Sequence, residues 1–124
     1  MQFINGINLT QKFATFNEFW TPKIVGELNG QYLKLAKFKG EFIWHSHDNE
    51  DEFFQVIKGK IQIHLRDKMV EIAEGEFYIV PKGVEHKPIA QEEAHVLLFE
   101  PIQTDQTGGA ASDLKVEVEN QTKI

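Results

Sequence analysis

The apolar residues near the start of the chain recur with a helical period. Four large ones occupy positions i, i+4, i+7 and i+11 of one stripe: Leu9, Phe13, Phe16 and Trp20. Such a stripe is typical of an amphipathic helix on the flank of a domain. Asn8 or Thr10 can cap this helix, and Thr21-Pro22 would end it. The pattern predicts a helical segment, residues 1–22, that packs on the rest of the protein.

After Pro22 the apolar residues fall on every second position. In residues 60–66, isoleucine and leucine alternate with polar side chains, as expected for a half-buried strand. Asn29-Gly30 suits a tight hairpin turn, because both residues tolerate positive φ. Glycine and proline separate further short segments. The pattern predicts an all-β fold, an antiparallel sandwich or barrel over residues 23–102.

The composition changes again at Gln103, where Thr, Gln, Asp, Gly, Ala and Ser become frequent. This change predicts a linker or loose polar arm over residues 103–124, which we call the C-terminal arm. Three apolar residues alternate with charged ones inside it: Leu114, Val116 and Val118. The alternation predicts one late strand, either along an edge of the sheet or against a second subunit.

Four possible metal ligands lie between residues 45 and 86. His45 and His47 are two positions apart, so on a strand both side chains point to the same face. Glu52 follows across a polar turn, and His86 follows a second turn and offers a fourth donor. Imidazole and carboxylate donors without thiolate suit a divalent transition metal: Mn, Fe, Ni or Zn.

Two stretches around these residues resemble the sequence motifs of the cupin superfamily. The first motif reads Gly40-Glu41-Phe42-Ile43-Trp44-His45-Ser46-His47, followed by Glu52 and Gly59. The second motif consists of Gly75, Pro81, Gly83 and His86. Residues 60–74 separate the two motifs. This short spacing is similar to that of small single-domain bacterial cupins, which are often labelled mannose-6-phosphate isomerase-like.

The resemblance implies a fold and a cofactor. The fold would be the cupin double-stranded β-helix, an antiparallel β-barrel of the jelly-roll type, here with a short N-terminal helix. The cofactor would be one divalent transition metal. Its ligands would be His45, His47, Glu52 and His86. Cupins of this kind are commonly dimeric, and exposed strand edges and the Phe-rich N-terminal segment also favour a homodimer.

The sequence departs from the cupin pattern at two positions that are not metal ligands. Gly40 precedes His45 by four intervening residues, where the general pattern has five. Ala90 stands where the second motif usually ends in asparagine. These departures concern the shape of a loop and the wall of the pocket.

Other polar residues are weaker candidates for the site. His95 begins the apolar run 96–99 and is a candidate catalytic residue, either at the rim or as a base in the pocket. His64 falls on the outward face of its strand. Glu50 and Asp51 lie in a polar turn, where one of them would replace Glu52 if the register slipped.

Two lysines and one serine are limited by the alternation of strand positions. Lys34 and Lys37 lie on opposite faces of one strand, so at most one reaches the pocket. Ser46 faces away from the two histidines beside it, so a Ser-His nucleophile pair has poor geometry there.

Charge and composition exclude several classes of partner. Thirteen Lys and Arg against 19 Asp and Glu give a net charge of −6, which repels nucleic acid and anionic membrane surfaces. Cysteine is absent, which is typical of a cytoplasmic protein without disulfides. The pattern of a signal peptide is not found at the N-terminus, and no apolar run is long enough to span a bilayer.

These features leave three functional hypotheses. The first is a metal-dependent small-molecule enzyme of the isomerase, lyase or dioxygenase type that acts in the barrel pocket. The second is a barrel that holds a small ligand or sugar without turning it over. The third is a structural protein in which the metal only stabilises the fold.

Overall fold

The computed structural model describes residues 5–124, so residues 1–4 of the predicted helical segment lie outside the described part. The described residues form α1 Leu9–Phe13, β1 Lys23–Leu28, β2 Gln31–Glu41, β3 Glu52–Lys58, β4 Lys60–Leu65, β5 Met69–Ala73, β6 Phe77–Val80, β7 His86–Pro101 and a 3-10 helix Val118–Asn120. No helix in residues 5–124 is long and apolar enough to cross a membrane. The prediction of an all-β fold is confirmed.

The strands form an antiparallel sheet centred on β7. The order along the sheet is β1-β2-β7-β3-β6, and β4 pairs with both β5 and β7. The first part of β7 pairs with β4, as in Gln62 with Ile89, and its later part pairs with β3, as in Phe54 with Leu98. A strand shared between two walls lets the sheet close around one interior. The predicted antiparallel barrel of the jelly-roll type is therefore confirmed.

Strand β2 separates two hydrophobic clusters, because its side chains alternate between the two faces of the sheet. Ala36 and Phe38 are buried in the barrel interior. Leu35 is buried on the outer face, where it packs with Phe13 and Phe16 of the N-terminal segment. The N-terminal segment thus covers the outside of β2, and the interior is left for the candidate site.

The N-terminal helix is shorter than its apolar stripe predicts. It ends at Phe13, and the Asn8 side chain caps it by accepting a hydrogen bond from the Gln11 N–H at 2.9 Å. Trp20 has a left-handed φ of 57°, and its N–H donates to the Lys37 carbonyl of β2 at 2.9 Å. The prediction of a helix as far as Trp20 is wrong, because pairing with β2 replaces the helical hydrogen bonds. The aromatic residues of the stripe are buried all the same.

The C-terminal arm packs on the barrel and is not a loose extension. Thr104 and Thr107 are buried. The Gln106 amide donates to the backbone carbonyl of Trp20 at 2.6 Å and accepts from the N–H of Val116 at 2.7 Å. These hydrogen bonds fix the arm beside the N-terminal segment.

The late strand predicted in the arm is wrong. Leu114 lies in a turn and packs against the barrel core, and the 3-10 helix Val118–Asn120 follows. The end of the chain then returns to β1. There the Ile24 N–H donates to the Thr122 carbonyl at 2.8 Å, and the Ile24 carbonyl accepts from the Ile124 N–H at 2.9 Å. The apolar residues of the arm therefore serve packing, and no ladder forms between them.

Gly108 lets the arm approach the loop that contains Ser46. A Cβ at Gly108 would overlap the Ser46 carbonyl oxygen, whereas a Cβ at Gly109 would meet nothing within 4 Å. Both glycines have positive φ, 61° and 89°, so alanine is strained at either position. We expect Gly108→Ala to lower the free energy of unfolding by about 2 kcal/mol more than Gly109→Ala, because it alone adds an overlap. Denaturant titration measures this difference, and equal losses would contradict the close packing of the arm.

Candidate metal centre

A bulge at Gly40 turns the chain from β2 into the loop that carries two of the histidines. Gly40 has a φ of 80°, and the register between β2 and β7 shifts between Phe38 and Gly40. The loop then reaches His45, which exchanges two backbone hydrogen bonds with His86 at 3.0 and 2.9 Å. His45 thus lies in an isolated bridge and not in the regular strand that the sequence predicts. This bridge brings the two motifs together.

The four predicted ligands converge in the barrel interior. They are all buried, and one donor atom of each lies within 4.8 Å of the others: His45, His47, Glu52 and His86. His47 Nε2 is in direct contact with Glu52 Oε2, and His86 Nε2 lies 3.6 Å from the same oxygen. Three imidazoles and one carboxylate at this separation can bind a metal ion.

Backbone carbonyls fix the orientation of two of the imidazole rings. His45 Nδ1 lies 2.9 Å from the Ile43 carbonyl, and His86 Nδ1 lies 2.9 Å from the Val84 carbonyl. A carbonyl can only accept, so each Nδ1 carries the proton and each Nε2 presents a lone pair to the cluster. Among the described residues, neither Nε2 has a hydrogen-bond partner. Buried lone pairs of this kind are costly when unpaired, and a divalent ion would satisfy both.

The charges within the cluster favour deprotonated donors. Burial lowers the pKa of His45 to about 4, although the Glu52 carboxylate opposes this effect. Burial also disfavours protonation of His47, but its contact with Glu52 prevails and raises the pKa of His47. Burial disfavours the Glu52 carboxylate, yet His47 and His86 hold the pKa of Glu52 well below its usual value. Glu52 is therefore an anion, and His47 takes a proton more readily than His45 does.

A narrow pocket opens beside the donors, and His45 and Glu52 form part of its wall. Most of the wall is apolar, and its aromatic members are Trp20, Phe38, Phe42 and Phe54. Glu100 of β7 and Gln106 of the C-terminal arm also line it. The cavity volume is about 30 Å³, enough for about two water molecules. A larger ligand therefore requires part of the wall to move.

Comparison with known protein families agrees with this geometry. The family model described as a cupin domain matches residues 33–100, more than half of the chain. The chain belongs to the cupin family. The four clustered donors of this cupin are the residues that its two motifs place at the ligand positions.

Similar proteins support the interpretation of this chain as a small bacterial cupin. A cupin-2 domain containing protein from Shewanella frigidimarina NCIMB 400 is 46% identical with a TM-score of 0.76, over 77% of this chain and 93% of that one. Protein NMB1881 from Neisseria meningitidis is 32% identical with a TM-score of 0.72, over 78% of this chain and 99% of that one. The uncharacterized protein YdbB of Bacillus subtilis (strain 168) is 34% identical over 64 residues. That match covers 51% of this chain and 57% of the relative, so the cupin spans little more than half of YdbB.

The raised pKa of His47 predicts that metal affinity falls on acidification. Protonated His47 must lose its proton before it can bind a metal, and its pKa lies above the usual 6.5. We therefore expect affinity to fall about tenfold per pH unit once the pH drops below the pKa of His47. Protonation of His45 does not contribute to this loss of affinity until the pH nears its pKa of about 4. Competition with a chromogenic chelator measures this profile, and constant affinity between about pH 5 and 8 would contradict it.

A buried ion pair beside the donors is missed by the sequence interpretation. Lys34 Nζ lies 2.9 Å from Glu100 Oε1, and the two side chains are 0% and 5% exposed. Burial raises the pKa of Glu100, with the Glu52 charge acting in the same direction and Lys34 opposing it. A signal was available in the sequence, since both residues fall at inward positions of strands whose other inward residues are apolar. Lys37, in contrast, lies on the outer face and donates to a backbone carbonyl there.

His95 is not brought to the cluster. Its ring stacks on Phe13 with centroids 4.5 Å apart, and its Nε2 lies 2.7 Å from Glu93 Oε2. The inward positions on either side of it belong to Ala94 and Val96, which are fully buried. The suggestion that His95 is a base in the pocket is therefore corrected, because strand alternation places it on the outer face under the N-terminal segment.

The remaining candidates also lie outside the cluster. His64 is half-buried on β4, where its Nε2 lies 3.0 Å from the Gln62 side chain. Asp51 is exposed and accepts a hydrogen bond from the Lys82 N–H at 2.9 Å. Glu52, and neither acidic residue before it, therefore supplies the carboxylate of the cluster.

Proposed function

We propose that this cupin is a metal-dependent enzyme that acts on a small molecule in the barrel pocket. The observation that carries the proposal is that His45 and Glu52 belong both to the donor cluster and to the pocket wall. A molecule in the pocket would therefore lie next to the metal. A divalent ion, Mn, Fe, Ni or Zn, would supply Lewis-acid chemistry, or redox chemistry if it is iron. Reactions of the isomerase, lyase or dioxygenase type fit this arrangement.

The protein's own groups have separate tasks in this proposal. The Ile43 and Val84 carbonyls keep two histidine rings in the orientation that presents Nε2 to the ion. The Glu52 carboxylate supplies the negative charge that a divalent ion requires. The aromatic wall around Trp20 and Phe42 excludes water from the reacting molecule and holds it by apolar contact.

Two alternatives use the same residues differently. In a binding protein, the metal would anchor a small ligand that is never converted. In a structural protein, four protein donors would close the site and the metal would only stabilise the barrel. The enzyme hypothesis is preferred because donors that also line a pocket leave a ligand access to the ion.

Metal analysis followed by activity screens tests the proposal. The protein is purified without added metal, and its metal content is measured. A near-stoichiometric divalent metal, followed by turnover in oxygen-uptake or aldose-ketose screens, is the expected result. Metal together with ligand binding but no turnover would favour the binding protein. Protein that neither holds nor takes up metal and keeps its fold would contradict the enzyme hypothesis.

We also propose a homodimer formed through the outer face of β6. This strand ends the sheet order, and its Phe77 and Ile79 side chains are 59% and 47% exposed. Phe13 and Phe16 of the N-terminal segment are not available, because they pack on their own barrel. Light scattering is expected to give twice 14.3 kDa, and Phe77→Asp is expected to give the monomer. Leu28→Asp, also at an exposed site, is the control, and a monomeric wild type would refute the dimer.

A further inference from the structure

Two buried carboxylates face each other across neighbouring strands. Phe53 of β3 is paired with Phe99 of β7, so the same antiparallel register sets Glu52 opposite Glu100. Both residues are buried, and both line the pocket. Like charges at opposite positions of a sheet are destabilising. The stability of the fold therefore does not explain why two carboxylates lie at these opposite positions.

The two carboxylates are compensated by different partners. Glu52 belongs to the metal cluster, whereas Glu100 is paired with Lys34 at 2.9 Å. Lys34 is fully buried and stands behind Glu100, since Glu100 lines the pocket and Lys34 does not. Apolar residues of similar size would often stabilise a barrel at least as well as a buried ion pair. A pair that presents its carboxylate to a cavity is instead suited to recognising a ligand.

The rest of the pocket indicates the kind of ligand. Trp20 stacks on Phe38 and on Phe42, with ring centroids 4.3 and 5.0 Å apart, and these rings line the pocket. Flat aromatic walls favour a flat ring as occupant. The wall also includes Gln106, whose amide makes hydrogen bonds to two backbone groups.

We propose that Glu100, positioned by Lys34, determines ligand specificity by accepting a hydrogen bond from a hydroxyl or amino group on a single-ring aromatic ligand. This inference rests on the proposed function, because an acidic oxygen on the same ligand would bind the metal. Lys34 opposes the rise in the pKa of Glu100 and fixes the direction of its carboxylate. Glu100 Oε1 lies 2.9 Å from Lys34 Nζ, and in this proposal the other carboxylate oxygen accepts from the ligand.

Binding of paired probes to the metal-loaded protein tests this inference. The probes are the ortho, meta and para hydroxybenzoates and the matching fluorobenzoates, which have similar size but no hydrogen to donate. Calorimetry is done in mildly alkaline buffer, where the carboxylate is ionised. We expect at least one hydroxybenzoate to bind about tenfold or more tightly than its fluoro partner, as a hydrogen bond to a charged group provides.

Two variants show whether Glu100 is the origin of this preference. Lys34→Met/Glu100→Met removes the acceptor without leaving a buried charge unpaired, and we expect the two probes to bind within about twofold. Glu100→Gln keeps the shape and a neutral acceptor, so the preference should fall to about threefold. Lys37→Met/Glu93→Met, a lysine–glutamate pair on the outer face, is the matched control and should change nothing.

The outcomes separate this inference from the proposed function. A preference that persists in Lys34→Met/Glu100→Met would overturn the role of Glu100, as would a metal-loaded wild type with no preference for any hydroxybenzoate. Neither result would contradict the proposal that the protein is a metal-dependent enzyme. A wild type that takes up no metal would instead refute the proposed function, and this inference would fall with it. Metal content and circular dichroism of each variant show that the site and the fold are intact.

Discussion

Replacing His47 with alanine is expected to remove nearly all bound metal while leaving the barrel folded. His47 is one of four buried donors and is in direct contact with Glu52. Its replacement therefore removes one metal ligand and also the imidazole that contacts the Glu52 carboxylate. Affinity should fall by more than about 100-fold, the upper range for loss of a group that only supports a ligand. Metal content of variant and wild type purified in parallel without added metal measures the effect.

His64→Ala is the matched control for this experiment. His64 lies on β4 beside Gln62 and outside the donor cluster, so its removal should leave metal content unchanged. Glu52→Ala is expected to behave like the His47 variant. Full metal occupancy in both the Glu52 and His47 variants would exclude the four-residue site.

The cluster of four donors could be predicted from the sequence because its arrangement depends on local turns. Two short stretches of fixed spacing contain His45, His47, Glu52 and His86, and each stretch makes its own turn. Tertiary contacts then join the two stretches: His45 bridges to His86, the Gly83 N–H donates to the His47 carbonyl at 2.8 Å, and Glu52 pairs with Val80. Spacing within each motif identifies the four residues, even though the loop is less regular than a strand.

Glu100 could not be assigned in the same way, because its surroundings depend on three strands that are distant in sequence. Alternation places Glu100 and Lys34 on inward faces, but their pairing follows from the register of β2 against β7. The position opposite Glu52 follows from the separate register of β3 against β7. Neither register can be predicted from a local sequence pattern. The signal available in the sequence was therefore a charged residue at an inward strand position.

Two segments near the ends of the chain show that a local pattern fails to predict backbone conformation where tertiary contacts determine it. The stripe that ends at Trp20 has helical spacing, yet hydrogen bonding to Lys37 of β2 takes Trp20 out of any helix. The alternation around Leu114 has strand spacing, yet that residue packs against the core from a turn. In both segments the apolar residues are placed correctly as buried or packed, and the backbone conformation is what the pattern fails to predict.

Removing the metal with a chelator is expected to leave the barrel folded and to abolish ligand binding. The interior holds a large cluster of buried apolar residues, including Phe54, Val56, Ile61 and Ile63, that does not depend on the ion. Without metal, His47 can take up a proton and offset the Glu52 charge, as its raised pKa indicates. The metal then stabilises the fold by its occupancy alone, about 3 kcal/mol at a hundredfold excess over the dissociation constant. For a chain of this size, we expect the melting temperature to fall by about 10 °C.

Circular dichroism of the chelated protein distinguishes an open site, where a ligand reaches the metal, from a structural site, where the metal only stabilises the fold. An open site keeps its β-sheet spectrum at room temperature and loses binding of the benzoate probes. A structural site behaves like small zinc modules, whose metal-binding free energy is their folding free energy, and the chelated chain unfolds. The metal-depleted His47→Ala variant is the control, because chelator should not change its melting temperature further. Complete loss of the β-sheet signal on chelation would refute the open site, since the buried apolar core would then be insufficient to hold the barrel.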